Sequence, residues 1–438
     1  MTYAEALDFL YTRLPMFSRI GEAAIKKDLH NTLALCQALG HPEKKFKSIH
    51  IAGTNGKGSV SHMLAAILQS AGYRTGLYTS PHLVDLRERF RVNGQMIHES
   101  TVSEFVEANS SLVSDIEPSF FEMTVAMAFD HFAKEQVDIA VIETGLGGRL
   151  DSTNVITPEL SVITNIGWDH MSLLGDTLPL IAAEKAGIIK SGIPSVVGQS
   201  NPLTDPVFLS MSADKRSTLT FADKIRYVSD WNTTSTGMNV EVVISSSGER
   251  NSYALDLGGF YQTYNLITVL EAIHQLRKTG WKIPDESLRH GLAHVRVLTG
   301  LHGRWEKIQD HPAIILDVAH NSDGMKQVSA QLELMNYDHL HVVTGMVKDK
   351  DIRSVLSELP REARYYFTNA QLPRALPAGE LAKIGWELGL QGQAWPDVNS
   401  ALAEAMRHAS KSDLALVCGS FFVIGEVDRA IYGHRINN

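Results

Sequence analysis

The sequence has few of the features that mark secreted, membrane-spanning or nucleic-acid-binding proteins. It contains only two cysteines, Cys36 and Cys418, too few for a disulfide framework or a cysteine-based zinc site. Its net charge of −9 argues against a general nucleic-acid binder. No apolar run approaches the ~20 residues that span a bilayer, and the N-terminal residues lack the apolar core of a secretory signal. We therefore expect a cytoplasmic protein with no membrane or nucleic-acid partner.

Strand and helix patterns alternate through most of the 438 residues, 44% of which are hydrophobic. This alternation predicts an α/β protein with mostly parallel sheets and helices on both faces. A β-hairpin that turns at Ser246 to Glu249 interrupts it. We predict an N-terminal domain over residues 1–296, a linker over 297–303 and a Rossmann-like α/β domain over 304–438. No internal repeat or low-complexity segment is present.

The stretch SIHIAGTNGKGSVSHML resembles a phosphate-binding loop but departs from the usual pattern. Ile51 stands where that pattern has its first glycine, and Gly58 follows Lys57 where it has Ser or Thr. Backbone N–H groups between a strand and a helix form an anion cradle, to which a lysine adds charge. A glycine-rich turn with a surface lysine is the alternative. The strand before the loop and the helix predicted from Ser59 to Ser70 favour a phosphate site.

Polar side chains follow three predicted strands of the first domain. Ser80, Glu143 and His170 each lie at or after the carboxyl end of a strand. Because such ends meet at one edge of a parallel sheet, these groups are expected to form a metal–phosphate centre. A turn-capping acid and a structural histidine are the alternatives. Lys185 lies among apolar residues of a helix, where a lysine has a lowered pKa, although most helical lysines are solvated.

A second set of polar residues falls in the C-terminal domain. Asp317, His320 and Asn321 stand at the end of the strand AIILDVA and in the loop after it. Asp317 is a candidate for ribose hydroxyls, and His320 or Arg304 for phosphate oxygens. For Asn321 the alternative is helix capping.

Nine motifs occur together in one order. They are AGTNGKGS, YTSPHL, SFFE, IETGLGGRLDSTN, NIGWDH, EKAGI, YQTYN, HGRWE and LDVAHN. With these motifs the chain resembles folylpolyglutamate synthase and the bifunctional bacterial dihydrofolate synthase/folylpolyglutamate synthase of the Mur ligase superfamily. The resemblance extends from the first helices to VCGSFFVIGEVDRAI near the end. It implies a P-loop ATPase-type N-terminal domain, a monomer, and a phosphate loop of the form GTNGKGS, in which the extra Gly58 is normal.

The resemblance also implies two Mg²⁺ sites beside ATP. Ser80 and Glu143 would hold one ion, and Glu143 and His170 the other. Lys185 is carbamylated in this family, which turns an ammonium into an anionic oxygen ligand. Phe121 and Asp151 match positions that hold the pterin substrate, although Ser119 stands where the family has Thr.

The remaining roles follow from the same motifs. The residues expected to act in catalysis are Lys57, His170, Lys185 and His320. The residues expected to bind the nucleotide are Gly53, Thr54, Asn55, Gly56, Lys57, Gly58, Ser59, Asn265, Arg304 and Asp317.

The implied reaction is ATP-driven amide formation. A carboxylate of a folate or pteroate substrate attacks the γ-phosphorus to give an acyl phosphate, which the amino group of L-glutamate then attacks. Like-charge repulsion in the first step makes metal ions and Lys57 necessary. Folylpolyglutamate synthase activity without dihydrofolate synthase activity is one alternative.

Three other classes fit less well. A GTPase would carry an N-K-x-D motif, which is absent from the sequence. Peptidoglycan-type ligases of the same superfamily have a UDP-sugar domain before the loop, and here the loop begins at Gly53. A non-enzymatic binding module would explain neither Glu143 nor Lys185.

Overall fold

The computed structural model describes residues 1–24, 26 and 28–433. The chain divides into two compact units. Unit 1 comprises Met1–Asp256 and Gln262–Leu301, and unit 2 comprises Leu257–Tyr261 and His302–Asn438. A short helix, Val295–Thr299, occupies part of the segment expected to be a linker.

The main sheet of unit 1 has eight strands in the order β4-β3-β2-β5-β1-β6-β7-β8. All neighbours are parallel except the pairs that β3 makes with β2 and β4. The strands are β1 Lys47–Ala52, β2 Thr75–Tyr78, β3 Phe90–Val92, β4 Gln95–Met96, β5 Ile139–Glu143, β6 Leu160–Ile163, β7 Ser195–Val197 and β8 Leu219–Phe221. Central strand β1 is buried from its second residue onward, as expected for a parallel strand covered on both faces.

Helices surround this sheet and bury its faces. They are α1 Tyr3–Arg13, α2 Phe17–Ile20, α3 His30–Ala38, α4 Lys57–Ser70, α5 Glu99–Ile116, α6 Phe120–Lys134, α7 Met171–Leu174, α8 Leu178–Ala186, α9 Asp205–Lys215, α10 Ala222–Ile225, α11 Gln262–Lys278, α12 Asp285–Ala293 and α13 Val295–Thr299. Helix α4 begins at Lys57, two residues before the predicted start, so Lys57 and Gly58 lie within its first turn.

The start of α6 is fixed by a capping box. The Glu122 N–H donates to Ser119 Oγ at 3.2 Å, and the Ser119 N–H donates to Glu122 Oε2 at 2.7 Å. Because these bonds satisfy two backbone donors that a helix start leaves open, such a cap stabilises a helix by about 1 kcal/mol. It fixes the start of the helix, and Phe121 is the second residue of that helix.

A small antiparallel sheet follows α10, in the order β11-β10-β9. Its strands are β9 Arg226–Thr233, β10 Met238–Ile244 and β11 Arg250–Leu255. The predicted hairpin is confirmed as β10 and β11. The sequence does not predict strand β9, because all of its residues are exposed or half-buried and give no clear alternation.

Unit 2 contains a sheet of six strands in the order β12-β13-β17-β14-β15-β16, parallel except between β12 and β13. The strands are β12 Glu306–Asp310, β13 Ala313–Leu316, β14 Leu340–Thr344, β15 Arg364–Phe367, β16 Gln391–Ala394 and β17 Leu414–Cys418. The helices are α14 Ser322–Glu333, α15 Ile352–Ser357, α16 Ala378–Glu387, α17 Val398–His408 and α18 Phe421–Glu426.

The predicted α/β class with mostly parallel sheets is confirmed in both units. In the part of the chain that is described, every helix is too short or too polar to cross a bilayer.

Candidate active site

The glycine-rich loop packs so tightly that two of its glycines have no room for a side chain. Gly53 has a φ of 150°, and a Cβ there would lie 1.9 Å from Thr164 Oγ1. Gly56 has a φ of 83°, and a Cβ there would lie 2.2 Å from Asn265 Oδ1. Both positions therefore require glycine for conformation and for space.

Residues after β6 hold the first half of the loop. The Thr54 N–H donates to Asn165 O at 3.0 Å, and the Asn55 N–H donates to Asn165 Oδ1 at 2.9 Å. The Thr164 hydroxyl donates to Asn55 O at 2.6 Å. The second half enters α4, whose first intrahelical bond runs from the Val60 N–H to Gly56 O. The N–H groups of residues 57–59 therefore have no acceptor inside the helix, which suits an anion cradle.

Two lysines that were expected to act in catalysis donate hydrogen bonds to the same carbonyl of this loop. Lys57 Nζ donates to Gly53 O at 3.2 Å and to Thr54 O at 3.4 Å. Lys185 Nζ, on α8, donates to the same Gly53 O at 2.9 Å, and its residue is only 4% exposed. Two cationic groups therefore lie at the start of the loop, where an anionic ligand would offset their charge.

The structure brings two of the predicted metal ligands together. Glu143, the buried last residue of β5, accepts a hydrogen bond from the Ser80 N–H at 3.3 Å. His170 precedes α7, and its ring centroid lies 6.1 Å from that of Phe17. Its Nε2 is 3.8 Å from Asp169 Oδ2.

The donor chemistry of Glu143 and Ser80 fits Mg²⁺, because a carboxylate and a hydroxyl are the hard oxygen ligands that this ion prefers. Within residues 1–24, 26 and 28–433, histidine, cysteine and acidic side chains form no group of three or more that would hold a metal. A magnesium site here would therefore need Ser80, the substrate phosphates or a modified Lys185 to complete it.

Asn265 supports the phosphate loop through a residue that sequence reasoning missed. Asn265 Nδ2 donates to Gln262 Oε1 at 2.8 Å, and Gln262 Nε2 donates to Ser59 Oγ at 3.2 Å. Both amides lie in the first turn of α11 and are buried. The i, i+3 spacing of Gln and Asn in YQTYN was the available signal.

Phe121 and Asp151, the predicted substrate residues, both contact the segment at Gly145 and Leu146. A Cβ at Gly145 would lie 2.4 Å from Phe121 Cζ, so the ring packs against the backbone there. Asp151 Oδ2 accepts the Leu146 N–H at 2.8 Å. Burial raises the pKa of the Asp151 carboxyl, and hydrogen bonds from Thr153, Leu146 and Gly145 act against that effect.

Arg89 is a further candidate that the sequence did not reveal. Its residue is 7% exposed, its Nε donates to His82 Nδ1 at 2.8 Å, and its guanidinium lies 5.3 Å from the Phe120 ring centroid. Burial lowers the pKa of His82 to about 3, so that partner is neutral. Of the acidic residues described, none forms an ion pair with Arg89. A buried cation of this kind is suited to bind an anionic substrate group.

In unit 2, Asp317 holds two separate stretches of chain. Asp317 Oδ2 accepts the Tyr261 hydroxyl at 2.6 Å and the Trp305 N–H at 2.9 Å, and Oδ1 accepts the Ala319 N–H at 2.9 Å. Trp305 has a φ of 47°, a left-handed conformation that is costly for an aromatic residue. The carboxylate thus stabilises a strained turn next to Arg304.

The Phe421 ring lies beside both the Arg304 guanidinium and the His320 ring. The Arg304 guanidinium lies 5.0 Å from the Phe421 ring centroid, and the His320 ring centroid lies 5.7 Å from it. His320 Nδ1 lies 2.9 Å from Val318 O, so Nδ1 carries the proton and donates it. Asn321 is a helix cap, because its Oδ1 accepts the Gly324 N–H at 2.8 Å.

His50, on β1, is fully buried directly before the phosphate loop. Burial, with a smaller contribution from Lys190, lowers its pKa from 6.5 to about 3. The unfolded chain binds a proton near its ordinary pKa, whereas the folded chain does not until the pH is far lower. Stability is therefore lost as the pH falls through this window, by up to about 1.4 kcal/mol per pH unit.

We expect His50→Leu to weaken this acid sensitivity. Between about pH 7 and about pH 5, the free energy of unfolding of the wild type should fall by about 2 kcal/mol more than that of the variant. Urea unfolding of both proteins at both pH values measures the difference. Equal losses in the two proteins would show that His50 does not resist protonation in the folded state.

Known proteins share both units. The chain matches the Mur ligase middle domain over residues 51–273 and the Mur ligase, glutamate ligase domain over residues 303–421. These matches define the chain as a Mur ligase.

Two curated relatives have similar sequences over almost the whole chain. Dihydrofolate synthase/folylpolyglutamate synthase of Bacillus subtilis is 32% identical, over 98% of this chain and 99% of that protein. A probable bifunctional folylpolyglutamate synthase/dihydropteroate synthase of Haloferax volcanii is 33% identical over 97% of this chain, which spans 50% of that longer protein.

Solved structures show the same relationship. The Escherichia coli protein FolC in complex with DHPP and ADP has a TM-score of 0.84 at 30% identity, over 99% of this chain and 98% of that one. The bifunctional folylpolyglutamate synthase/dihydrofolate synthase of Yersinia pestis, complexed with AMPPNP and Mn ion, has a TM-score of 0.83 at 29% identity, with the same coverage. The chain therefore belongs to the folylpolyglutamate synthase/dihydrofolate synthase family.

Proposed function

We propose that the chain is an ATP-dependent ligase that joins L-glutamate to the carboxyl group of a folate-type acid, either dihydropteroate or a reduced folate. The observation that carries this proposal is the phosphate loop, with Lys57 and Lys185 on Gly53 O at 3.2 and 2.9 Å. Relatives with the same fold bind ADP with DHPP, or AMPPNP with Mn ion. These complexes support ATP and a folate-type acid as substrates of this chain.

Each side chain then has a chemical task. The N–H groups at the start of α4 and the Lys57 ammonium hold and neutralise phosphate oxygens, which lets a carboxylate approach the γ-phosphorus. Glu143 and Ser80 would hold Mg²⁺, which supplies Lewis-acid stabilisation of the transferring group. Arg89 binds a carboxylate of the incoming acid or of glutamate. Phe121 packs its ring beside the substrate-side loop, where a planar pterin is expected.

The metal and nucleotide assignments extend this proposal. Carbamylated Lys185 and His170 would complete a second Mg²⁺ site with Glu143. Asn265 supports the phosphate loop, and Arg304, Asp317 and His320 are proposed as contacts to a nucleotide and its phosphates.

The choice of acid tests the proposal. Purified protein is supplied with ATP, Mg²⁺ and L-glutamate, together with dihydropteroate or with tetrahydrofolate. Phosphate release and product mass are then measured. We expect both acids to gain glutamate. Turnover of tetrahydrofolate alone would limit the function to polyglutamylation, and turnover of neither acid would refute the proposal and favour another amino-acid ligase of the same superfamily.

A further inference from the structure

A buried chain of hydrogen bonds runs from β1 to the candidate substrate loop. His50 Nε2 lies 2.8 Å from Thr153 Oγ1, and the Thr153 hydroxyl donates to Asp151 Oδ1. The Thr153 N–H donates to the same Oδ1 at 3.0 Å. His50 and Thr153 are both 0% exposed, so solvent cannot replace either partner.

The direction of this chain follows from its proton count. A carboxylate only accepts, and a threonine hydroxyl has one proton, which it gives to Asp151. His50 must therefore donate to Thr153, which places its proton on Nε2. His50 Nδ1 is then bare, and it has no hydrogen-bond partner among the described residues.

The Asp151 carboxylate connects these hydrogen bonds to the candidate substrate loop. Its Oδ2 holds the Leu146 N–H at 2.8 Å, and Gly145 beside it has no space for a Cβ against Phe121. The position of the loop at Gly145 and Leu146 therefore depends on the orientation of the Asp151 carboxylate. That orientation in turn depends on two donors from Thr153.

We propose that Thr153 and His50 are positioning residues for the acid substrate, acting through Asp151 on the loop at Gly145 and Leu146. This inference rests on the proposed function, because it assigns that loop and Phe121 to the acid. It adds that binding of the acid is set from the strand before the phosphate loop, by side chains that touch no substrate.

Thr153→Val is the sharpest test, because it keeps the shape of the side chain and removes the hydroxyl. Without that hydroxyl, Asp151 loses a donor and His50 loses its acceptor, each a buried hydrogen bond. We expect KM for the acid to rise about 10-fold, with KM for ATP changed less than about 2-fold. Thr153→Ser keeps the hydroxyl and should restore KM for the acid to near the wild-type value.

A double variant distinguishes positioning from simple loss of stability. If Thr153 acts through Asp151, then adding Thr153→Val to Asp151→Asn should raise KM for the acid far less than it does in the wild type. Additive effects, equal rises in both KM values, or failure of Thr153→Ser to restore binding would each overturn the proposal.

Amide hydrogen exchange keeps this test separate from the proposed function. In Thr153→Val, exchange at Gly145 and Leu146 should be faster, whereas exchange in α11 should be unchanged. This readout needs no turnover. A wild type that uses no folate-type acid would refute the proposed function alone. Unchanged exchange at Gly145 and Leu146, or equally faster exchange throughout the protein, would refute the positioning role alone.

Discussion

Lys57→Ala is expected to lower kcat/KM for ATP about 10³-fold, the loss typical when a group that stabilises developing charge is removed. The Lys57 ammonium lies over the loop at 3.2 Å from Gly53 O and 3.4 Å from Thr54 O. A phosphate in the loop would share this charge, and no nearby backbone N–H can replace it. The fold should remain intact, because Lys57 is the first residue of α4 and is not buried.

The measurement is steady-state release of phosphate together with circular dichroism. Lys134→Ala is a matched control, because Lys134 is an exposed lysine in the last turn of α6, paired with Asp130 at 2.7 Å. It should leave kcat/KM within about 2-fold of the wild type. Near-normal turnover by Lys57→Ala would refute the phosphate-loop assignment.

Lys185→Ala is expected to be almost inactive, with a loss of about 10³-fold or more in kcat. In the unmodified form, the Lys185 ammonium donates to Gly53 O at 2.9 Å in a buried position. Addition of CO₂ to the neutral amine, with loss of one proton, would replace this cation with an anionic carbamate. The alanine variant can form no carbamate and leaves a space where one would lie.

Short carboxylic acids test this assignment. Acetate that enters the space left by Lys185→Ala would supply the missing oxygen ligands, so activity should return in part and rise with acetate concentration. Lys57→Ala is the control for this rescue, because acetate cannot replace a cation. Full activity of Lys185→Ala without acetate would refute the carbamate role. Mass analysis of the intact wild type would detect the added CO₂ directly.

The parallel sheets and the main site loops were predictable because they follow local rules. Strand β1 and helix α4 are rich in apolar residues and almost fully buried, and the glycines between them mark a turn. The Ser80 N–H bonds to Glu143, as expected for parallel strands that end at one edge of a sheet, and their role as metal ligands stays a prediction. Strand β16, with the sequence QGQA, is an exposed edge strand and carries no such signal.

The buried residues of the site were harder to find, because their role depends on contacts distant in sequence. Arg89 lies in LRER, which reads as a charged surface segment until Phe120 and His82 cover it. Phe421 lies 117 positions after Arg304 (421 minus 304) and reads as a core residue. Neither residue has a local pattern that distinguishes it from a structural one.

Unit 2 is discontinuous in sequence. Its first five residues, Leu257–Tyr261, precede the rest of the unit, which begins at His302, by about forty residues. The Tyr261 hydroxyl is one of the donors to Asp317, and Gly258 and Gly259 pack against Trp305. A fragment that starts at His302 would therefore bury Asp317 with one donor missing and expose one side of Trp305. Unit 2 is thus a compact unit that no single cut in the chain can isolate.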